Sequence, residues 1–188
     1  MNTIGKYVFD NAVTLEKSYE LLCLFFADKE ISRRTHPNEA GESPLLLLEK
    51  RFFEAKVSRL LIEIAASLRV MDDQIMSLAD EDPTKVKHKR LLNEVDAYDF
   101  GLFDDLGLTF RQTCNKIIHS EIFEIPRKEG DEPHEHDIAF REGMGDQSIQ
   151  WSHVTDYVRL AGKMNKKQWH VLLNIEIFVS AIVALLAD

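Results

Sequence analysis

The sequence predicts a mainly α-helical fold, a bundle of about four to five helices with a small antiparallel β-hairpin insertion before the C-terminal helix. Glycine and proline are scarce, with 8 and 5 among 188 residues, which favours long uninterrupted elements. Apolar residues recur at helical spacing over most of the chain, whereas residues 121–173 combine turn formers with period-two alternation. We therefore assign 1–188 to a single domain and 121–173 to a β-hairpin insertion within it.

The first predicted helix spans about Val8 to Asp28 and has one apolar side. That side is formed by residues at helical spacing: Leu15, Tyr19, Leu22, Cys23 and Phe26. A polar segment with Pro37 and Gly41 follows from Lys29 to Ser43, which predicts a loop.

The second predicted helix begins at Ser43 and Pro44, a pair typical of an N-cap followed by proline in the first turn. Neither glycine nor proline interrupts the segment from Leu45 to Ala79. A helix of that length is about 50 Å long at about 1.5 Å per residue. It is expected to end at Asp80–Pro83, because proline cannot continue the hydrogen-bond ladder.

Two shorter helices are predicted next. A basic run at 85–90 leads into a helical pattern through Leu91, Leu92 and Val95, after which Gly101 and Gly107 bracket a turn. From about Leu108 to Ser120 the spacing is helical again, with the following residues on the apolar side: Phe110, Cys114, Ile117 and Ile118.

The pattern then changes to that of a small antiparallel sheet. Five of the thirteen glycines and prolines lie between Pro126 and Gly145. Alternating pairs surround them: Ile138 with Phe140, Ile149 with Trp151, Val158 with Leu160, and Trp169 with Val171 and Leu173. The last hairpin is predicted to turn at Gly162–Lys167, and Asn174 is predicted to cap a closing helix. Its apolar stripe is Ile175, Phe178, Val179, Ile182 and Leu186.

The composition argues against several function classes. Acidic residues outnumber Lys and Arg by 32 to 23, a net charge of −9, so binding to nucleic acid or anionic membrane requires a local basic patch. The N-terminal residues do not resemble a signal peptide, and the longest apolar stretch is shorter than the roughly 20 residues of a membrane-spanning helix. Cys23 and Cys114 are too few for a disulfide framework. These features predict an acidic cytoplasmic protein without membrane contact.

The most informative residues for chemistry are Arg111, Asn115 and His119. Their spacing places all three in one row on a helix face. Arginine can hold a phosphate with fixed charge and histidine can exchange a proton near neutral pH. Cleavage of RNA through its 2′-hydroxyl needs both groups. The alternative interpretation is a polar helix face whose histidine bonds a carbonyl at the helix end.

The segment Asn115-Lys-Ile-Ile-His119, near the end of a helix that follows a long helix, resembles the signature region of the HEPN superfamily. The resemblance implies a helical bundle, often dimeric, and in many members a metal-independent endoribonuclease of toxin–antitoxin or defence systems. The family motif places Arg four to six residues before His, often followed directly by a polar residue. Asn115 and His119 match that pattern, whereas Cys114 occupies the arginine position. Either Arg111, one turn upstream, replaces the missing cation, or the domain keeps the fold without the chemistry.

Other charged residues are weaker candidates. Arg69 is predicted either to contact phosphate or orient His119, or to form an intrahelical pair with Asp72 or Asp73. The basic run supplies an RNA-contacting patch, or a solvated face that offsets the acids at 80–82. The candidate phosphate contacts in that run are Lys87, Lys89 and Arg90.

Metal and cofactor sites are not predicted. His134-Glu-His-Asp137 contains ligand types for a metal, but it lies in a glycine- and proline-containing loop rich in acidic residues, and we interpret it as a solvated hairpin. We predict no bound metal and no cofactor.

Two functions therefore remain from the sequence. The first is a HEPN-like RNA-binding protein or metal-independent endoribonuclease, with His119 as acid or base, Arg111 on phosphate and Asn115 orienting. The second is a non-catalytic helical module for dimerisation or for binding a cognate protein. In either case we predict a homodimer, because the closing helix is apolar on more than one face.

Overall fold

The computed structural model describes residues 9–35, 43–103, 106–130, 150–165 and 167–187. Five helices lie in these ranges: α1 (Asn11–Arg34), α2 (Pro44–Met76), α3 (Pro83–Val95), α4 (Phe110–Ile118) and α5 (Ile175–Leu186). Among the described residues, no helix is both long enough and apolar enough to cross a membrane.

The strands form one five-stranded sheet and one two-stranded ribbon. They are β1 (Gly101–Phe103), β2 (Leu106–Gly107), β3 (Ile122–Glu124), β4 (Arg127–Glu129), β5 (Ser152–Val154), β6 (Tyr157–Met164) and β7 (Lys167–Asn174). The sheet has the order β2-β1-β7-β6-β3, β4 pairs with β5, and every pairing is antiparallel. The predicted fold class, mainly α with a small antiparallel sheet before the closing helix, is confirmed.

The sheet also contains two strands that the sequence did not predict, β1 and β2, which precede α4. We expected Gly101 and Gly107 to bracket a turn, but Gly101 begins β1 and pairs with Leu173 of β7. Gly101 has φ +130°, and a Cβ there would lie 1.8 Å from the Leu172 carbonyl oxygen. The strand therefore depends on close backbone contact with a distant segment, which a three-residue pattern cannot indicate.

Helix α1 differs from its prediction in length and in orientation. It continues to Arg34, with Glu30 paired to Arg33 and Arg34 in the last turn. The predicted apolar face is only partly buried: Leu15 and Leu22 pack against the core, whereas Tyr19 and Phe26 are 71% and 58% exposed. The buried face is instead formed by Thr14, Ser18, Leu21, Phe25, Asp28 and Ser32. Polar groups can be buried there because each has a partner: Ser18 Oγ, for example, donates to the Thr14 carbonyl at 2.8 Å.

Helix α2 closely matches its prediction and supplies the central part of the core. It has Pro44 in its first turn, although the Ser43 side chain makes no capping bond. Its buried apolar residues include Phe53, Val57, Leu60, Leu61, Ile64, Ala65 and Leu68. Helix α3 begins at Pro83, capped by Asp82, so the basic residues lie within the helix rather than before it.

The closing helix begins as predicted, since Asn174 Oδ1 accepts a hydrogen bond from the Ile177 amide at 3.0 Å. Most of α5 is buried within this chain, including Phe178, Ala181 and Ile182, each 0% exposed. Its apolar surface is therefore covered by the fold itself. Val183 of α5 is 44% exposed, and among the described residues the most exposed apolar side chains of α1 and of the first half of α2 are Tyr19, Phe26, Leu45 and Leu48.

A buried polar cluster joins α1 to the β4–β5 ribbon. Asp28 accepts from Arg127 Nη1 at 3.0 Å and from the Val154 amide at 2.7 Å. Glu49 of α2 lies beside Asp28, where burial, followed by the hydrogen bond and the charge of Asp28, raises the pKa of Glu49 to about 7.

This raised pKa predicts a pH-dependent stability. Because folded Glu49 holds its proton more tightly than its ordinary pKa of 4.5 allows, we expect the free energy of unfolding to fall as pH rises from about 4.5 to about 7. This fall in the free energy of unfolding should be on the order of 1 kcal/mol, since solvent screens the half-buried carboxyl of Glu49. Urea unfolding across that range measures it. Glu49→Gln should remove this decline in unfolding free energy. Glu54→Gln, at an exposed position of the same helix, should keep it. Equal pH profiles for Glu49→Gln and wild type would contradict the prediction.

Candidate functional site

Helix α4 carries the row of residues that the sequence singled out. Thr109 and Gln112 form a capping box at its start. The helix ends at Ile118, and the His119 amide, at the C-cap, donates to the Asn115 carbonyl at 3.1 Å. The side chains of Arg111, Asn115 and His119 therefore follow one face, as predicted, with the histidine exposed at the end of the helix.

The arginine of this row is bound to acidic residues of α2. Arg111 Nη2 donates to Asp73 Oδ1 at 2.6 Å, and Arg111 Nη1 donates to Asp72 Oδ2. Arg69 Nη1 also donates to Asp72 Oδ2, at 2.9 Å, and Arg69 Nη2 contacts both carboxylate oxygens of Asp73. His88 of α3 completes the group, with Nε2 3.0 Å from Asp72 Oδ1. We call these five residues the arginine–aspartate network.

Asp72 is the centre of this network and is only 6% exposed. Burial acts to raise its pKa, but the His88 hydrogen bond and the charges of Arg111 and Arg69 outweigh burial, so the pKa of Asp72 lies below its usual value. The two guanidinium charges are thus matched by two carboxylate charges inside the network. The intrahelical pairs of Arg69 with Asp72 and Asp73, one of the two interpretations from the sequence, are present.

Arg69 also fixes the orientation of Asn115. Its Nε donates to Asn115 Oδ1 at 2.8 Å, and because Nε can only donate, the amide atom that it meets must be the oxygen. The Nδ2 group is then the part of Asn115 left to donate to a ligand. Gln112 is held in the same way, since its Oε1 accepts from the Thr109 amide at 2.9 Å.

His119 and Asn115 line a cavity of about 670 Å³ between α4 and the end of the β6–β7 hairpin. Its polar lining is Gln112, Asn115, Lys116, His119, Glu121 and Lys163. Its apolar lining is Leu108, Met164 and Trp169. Arg111 and Arg69 do not belong to this lining. The structure therefore brings two of the predicted catalytic residues together in one cavity and leaves Arg111 in the neighbouring network.

The cavity depends on a close approach of β6 to the end of α4. A Cβ on Gly162 would lie 2.5 Å from Trp169 Cζ2 and 2.9 Å from the His119 carbonyl oxygen. Lys116 Nζ lies 4.2 Å from the centre of the Trp169 ring. The absence of a side chain at Gly162 allows the hairpin to bring Lys163 to the cavity that His119 lines.

The predicted turn at Gly162–Lys167 is shorter than expected. Strand β6 continues through Gly162 to Met164 and β7 begins at Lys167, with Asn165 at φ +51° after the first strand. Gly162 pairs with Trp169 across the hairpin. The glycine that indicated a turn therefore lies within a strand, where it permits close packing.

The α3 candidates, Lys87, Lys89 and Arg90, lie apart from this cavity lining. Lys89 pairs with Asp80 at 3.4 Å and Arg90 with Glu94 at 3.7 Å. Lys85, in the same run, is buried and pairs with Asp80 at 3.0 Å. These contacts fit the interpretation of a basic face that offsets the acids at 80–82.

Cys114 occupies the position at which the HEPN pattern has arginine, and it is buried in the core at 1% exposure. Burial raises the pKa of its thiol to about 12, so the group stays neutral at physiological pH. A thiol is neutral or anionic, never cationic, so this position does not supply the positive charge of the family's arginine. The segments His134–Asp137 and Ile138–Phe140 lie outside the described residues.

Sequence reasoning missed Lys116, Lys163 and Gln112 as members of the site. Lys116 stands between Asn115 and His119, so its position in the motif was a usable signal. Lys163 reaches the cavity only through the pairing of β6 with β3 and β7, which the sequence pattern does not specify. Comparison of the chain with protein-family models, curated proteins and solved structures found no match.

Proposed function

We propose that this protein is a HEPN-like RNA-binding protein that cleaves RNA without a metal ion, with His119 as the proton-transfer group. The observation that supports this most directly is the shared cavity, in which an exposed histidine, an oriented asparagine amide and two lysines lie together. The HEPN resemblance was based on Asn115 and His119, and these two residues are the ones that share the cavity.

The reaction is an internal transfer of the phosphodiester. His119 takes the proton of the 2′-hydroxyl, the 2′-oxygen bonds to phosphorus, and the bond from phosphorus to the 5′-oxygen breaks. Water protonates the departing 5′-oxygen, and the hydroxide that remains takes the proton from His119. No electrons are gained or lost, and the products are a 2′,3′-cyclic phosphate and a 5′-hydroxyl. Donors at the phosphate oxygens stabilise the negative charge that develops there.

The arginines have an indirect place in this proposal. The charge of Arg111 is shared with Asp72 and Asp73, and withdrawal from Asp72 would remove a partner from a buried carboxylate, which is costly. Arg69 supports the cavity through its hydrogen bond to Asn115. Asn115 then serves as a donor whose orientation is fixed before a ligand arrives.

Incubation of the purified chain with mixed RNA in EDTA tests this function. We expect fragments that end in a 2′,3′-cyclic phosphate or its hydrolysis product, and no cleavage of the matching DNA, because DNA lacks the nucleophile. RNA that stays intact under all conditions, or cleavage of DNA at a similar rate, would refute the enzymatic proposal.

A second candidate function is dimerisation or protein binding through the surface formed by α1 and the first half of α2. Leu45, Leu48 and Phe52 are each more than half exposed there, beside an apolar groove of about 610 Å³. Ion pairs lie beside the groove: Lys17 and Arg59 both pair with Glu63, and Lys56 pairs with Glu20. An exposed apolar patch suits contact with an identical apolar patch, so the occupant that we propose is a second copy of this chain.

Light scattering tests the homodimer, which should have twice the 21.7 kDa mass of the chain. Phe52→Glu places a charge in this apolar surface and should yield the monomer. The monomeric mass for wild type at micromolar concentration would contradict this proposal without affecting the proposed chemistry.

A further inference from the structure

We infer that Lys116 and Lys163 are the residues that bind phosphate in this site, in place of the arginines that the sequence suggests, and that the ligand is the backbone of single-stranded RNA. This inference rests on the proposed function and specifies how the cavity recognises its ligand.

The arginine–aspartate network and the cavity differ in their balance of charge. Arg69 and Arg111 share Asp72 and Asp73, so the arginine–aspartate network has no excess positive charge from these side chains. The cavity, in contrast, is lined by two lysines and a single carboxylate, that of Glu121. In the part of the chain that the structure describes, no carboxylate forms an ion pair with Lys163. On the cavity side, Lys163 therefore offers a ligand a positive charge that it does not share with a carboxylate of the described residues.

The cavity lining presents mainly hydrogen-bond donors. The oxygens of both amide side chains in the lining are occupied, Asn115 Oδ1 by Arg69 and Gln112 Oε1 by the Thr109 amide. Each amide is left with its NH₂ group, which can only donate. With the two ammonium groups and the imidazole, the lining offers mainly donors, and this suits the acceptor oxygens of a phosphodiester.

The aromatic residue of the cavity lining is Trp169. Trp169 is only 3% exposed, with Lys116 Nζ over its ring and the backbone of Gly162 close to its ring atoms. So little of this ring is exposed that it cannot serve as a stacking platform for a base. Contact with Trp169 instead holds the Lys116 ammonium near the cavity. Recognition through phosphate predicts strong dependence on salt and little dependence on base sequence.

The test is binding of a short fluorescein-labelled 2′-O-methyl RNA, which the proposed reaction cannot cleave, measured by fluorescence anisotropy at several salt concentrations. Lys163→Ala and Lys116→Ala should each raise Kd about tenfold, as expected for loss of a charged hydrogen bond. Each should also reduce the slope of log Kd against log salt by about 0.7. Lys163→Arg should retain most of the affinity.

Lys167→Ala is the matched control, because Lys167 is an exposed lysine of the same hairpin that does not line the cavity. It should leave Kd and the salt slope nearly unchanged. Arg111→Gln should change Kd less than either lysine variant does.

The inference is overturned if wild type does not bind the RNA, if the three alanine variants lose equal affinity, or if Arg111→Gln has the larger effect. Because the probe cannot be cleaved, the result is separate from that of the cleavage assay. Binding that depends on the two lysines supports the inference even in a chain that cuts no RNA, and cleavage that survives both lysine substitutions with unchanged Kd refutes it while the proposed function stands.

Discussion

His119→Ala is expected to lower the rate of RNA cleavage in EDTA by about 10²–10⁴-fold, the usual loss when a positioned acid or base is removed. Histidine is the side chain whose chemistry best suits proton exchange near neutral pH, and His119 is the histidine of this cavity lining. Binding should be affected much less, since the lysines and amides of the cavity remain. The measurement is single-turnover cleavage with protein in excess, so that binding and chemistry are separated.

His170→Ala is the matched control for this experiment. His170 is exposed on β7, pairs with Ala161 across the hairpin and does not line the cavity. It should retain the wild-type rate. Wild-type cleavage by His119→Ala, or an equal loss for His170→Ala, would remove the assigned role of His119 and leave the dimerisation module as the better account.

The helices were the most predictable part of the fold, because their ends are encoded locally. Pro44 lies in the first turn of α2, and Asn174 accepts a hydrogen bond from the first turn of the closing helix. The face of α1 was not predictable in this way. Asp28 is buried because Arg127, far along the chain, donates to it, and no periodicity within α1 indicates that partner.

In the candidate site, too, some residues are placed by local helix geometry and others by tertiary packing. The common face of Asn115 and His119 follows from helical geometry alone, and so does the row that Arg111 shares with them. Whether Arg111 is available to a ligand depends on Asp72 and Asp73, which belong to another helix. Lys163 joins the site only through the sheet register at Gly162. Local sequence thus indicated the imidazole and the amide, whereas the cations of the site were set by tertiary packing.

The arginine–aspartate network has a structural role that is distinct from the chemistry of the cavity. It joins α2, α3 and α4 through Asp72, and it orients Asn115 through Arg69. Damage to it should therefore reduce the stability of the fold first and affect activity as a consequence. The two aspartates provide a direct test, because they share the same arginines but differ in burial.

Asp72→Ala is expected to lower the free energy of unfolding by about 3–5 kcal/mol, because it leaves the partners of a buried charge without an acceptor. His88 is only 5% exposed, and the Arg69 side chain 15%, so water can compensate for little of the loss. A domain of this size should then melt roughly 10 °C lower.

Asp73→Ala is the matched variant. It removes a carboxylate bound to the same two arginines, but the Asp73 side chain is 56% exposed, so the loss of unfolding free energy should stay below about 1 kcal/mol. Urea unfolding and thermal melts of both variants measure the difference, with Asp72→Asn between them because it keeps an acceptor oxygen without the charge. Equal losses for Asp72→Ala and Asp73→Ala would show that burial does not set the strength of the network.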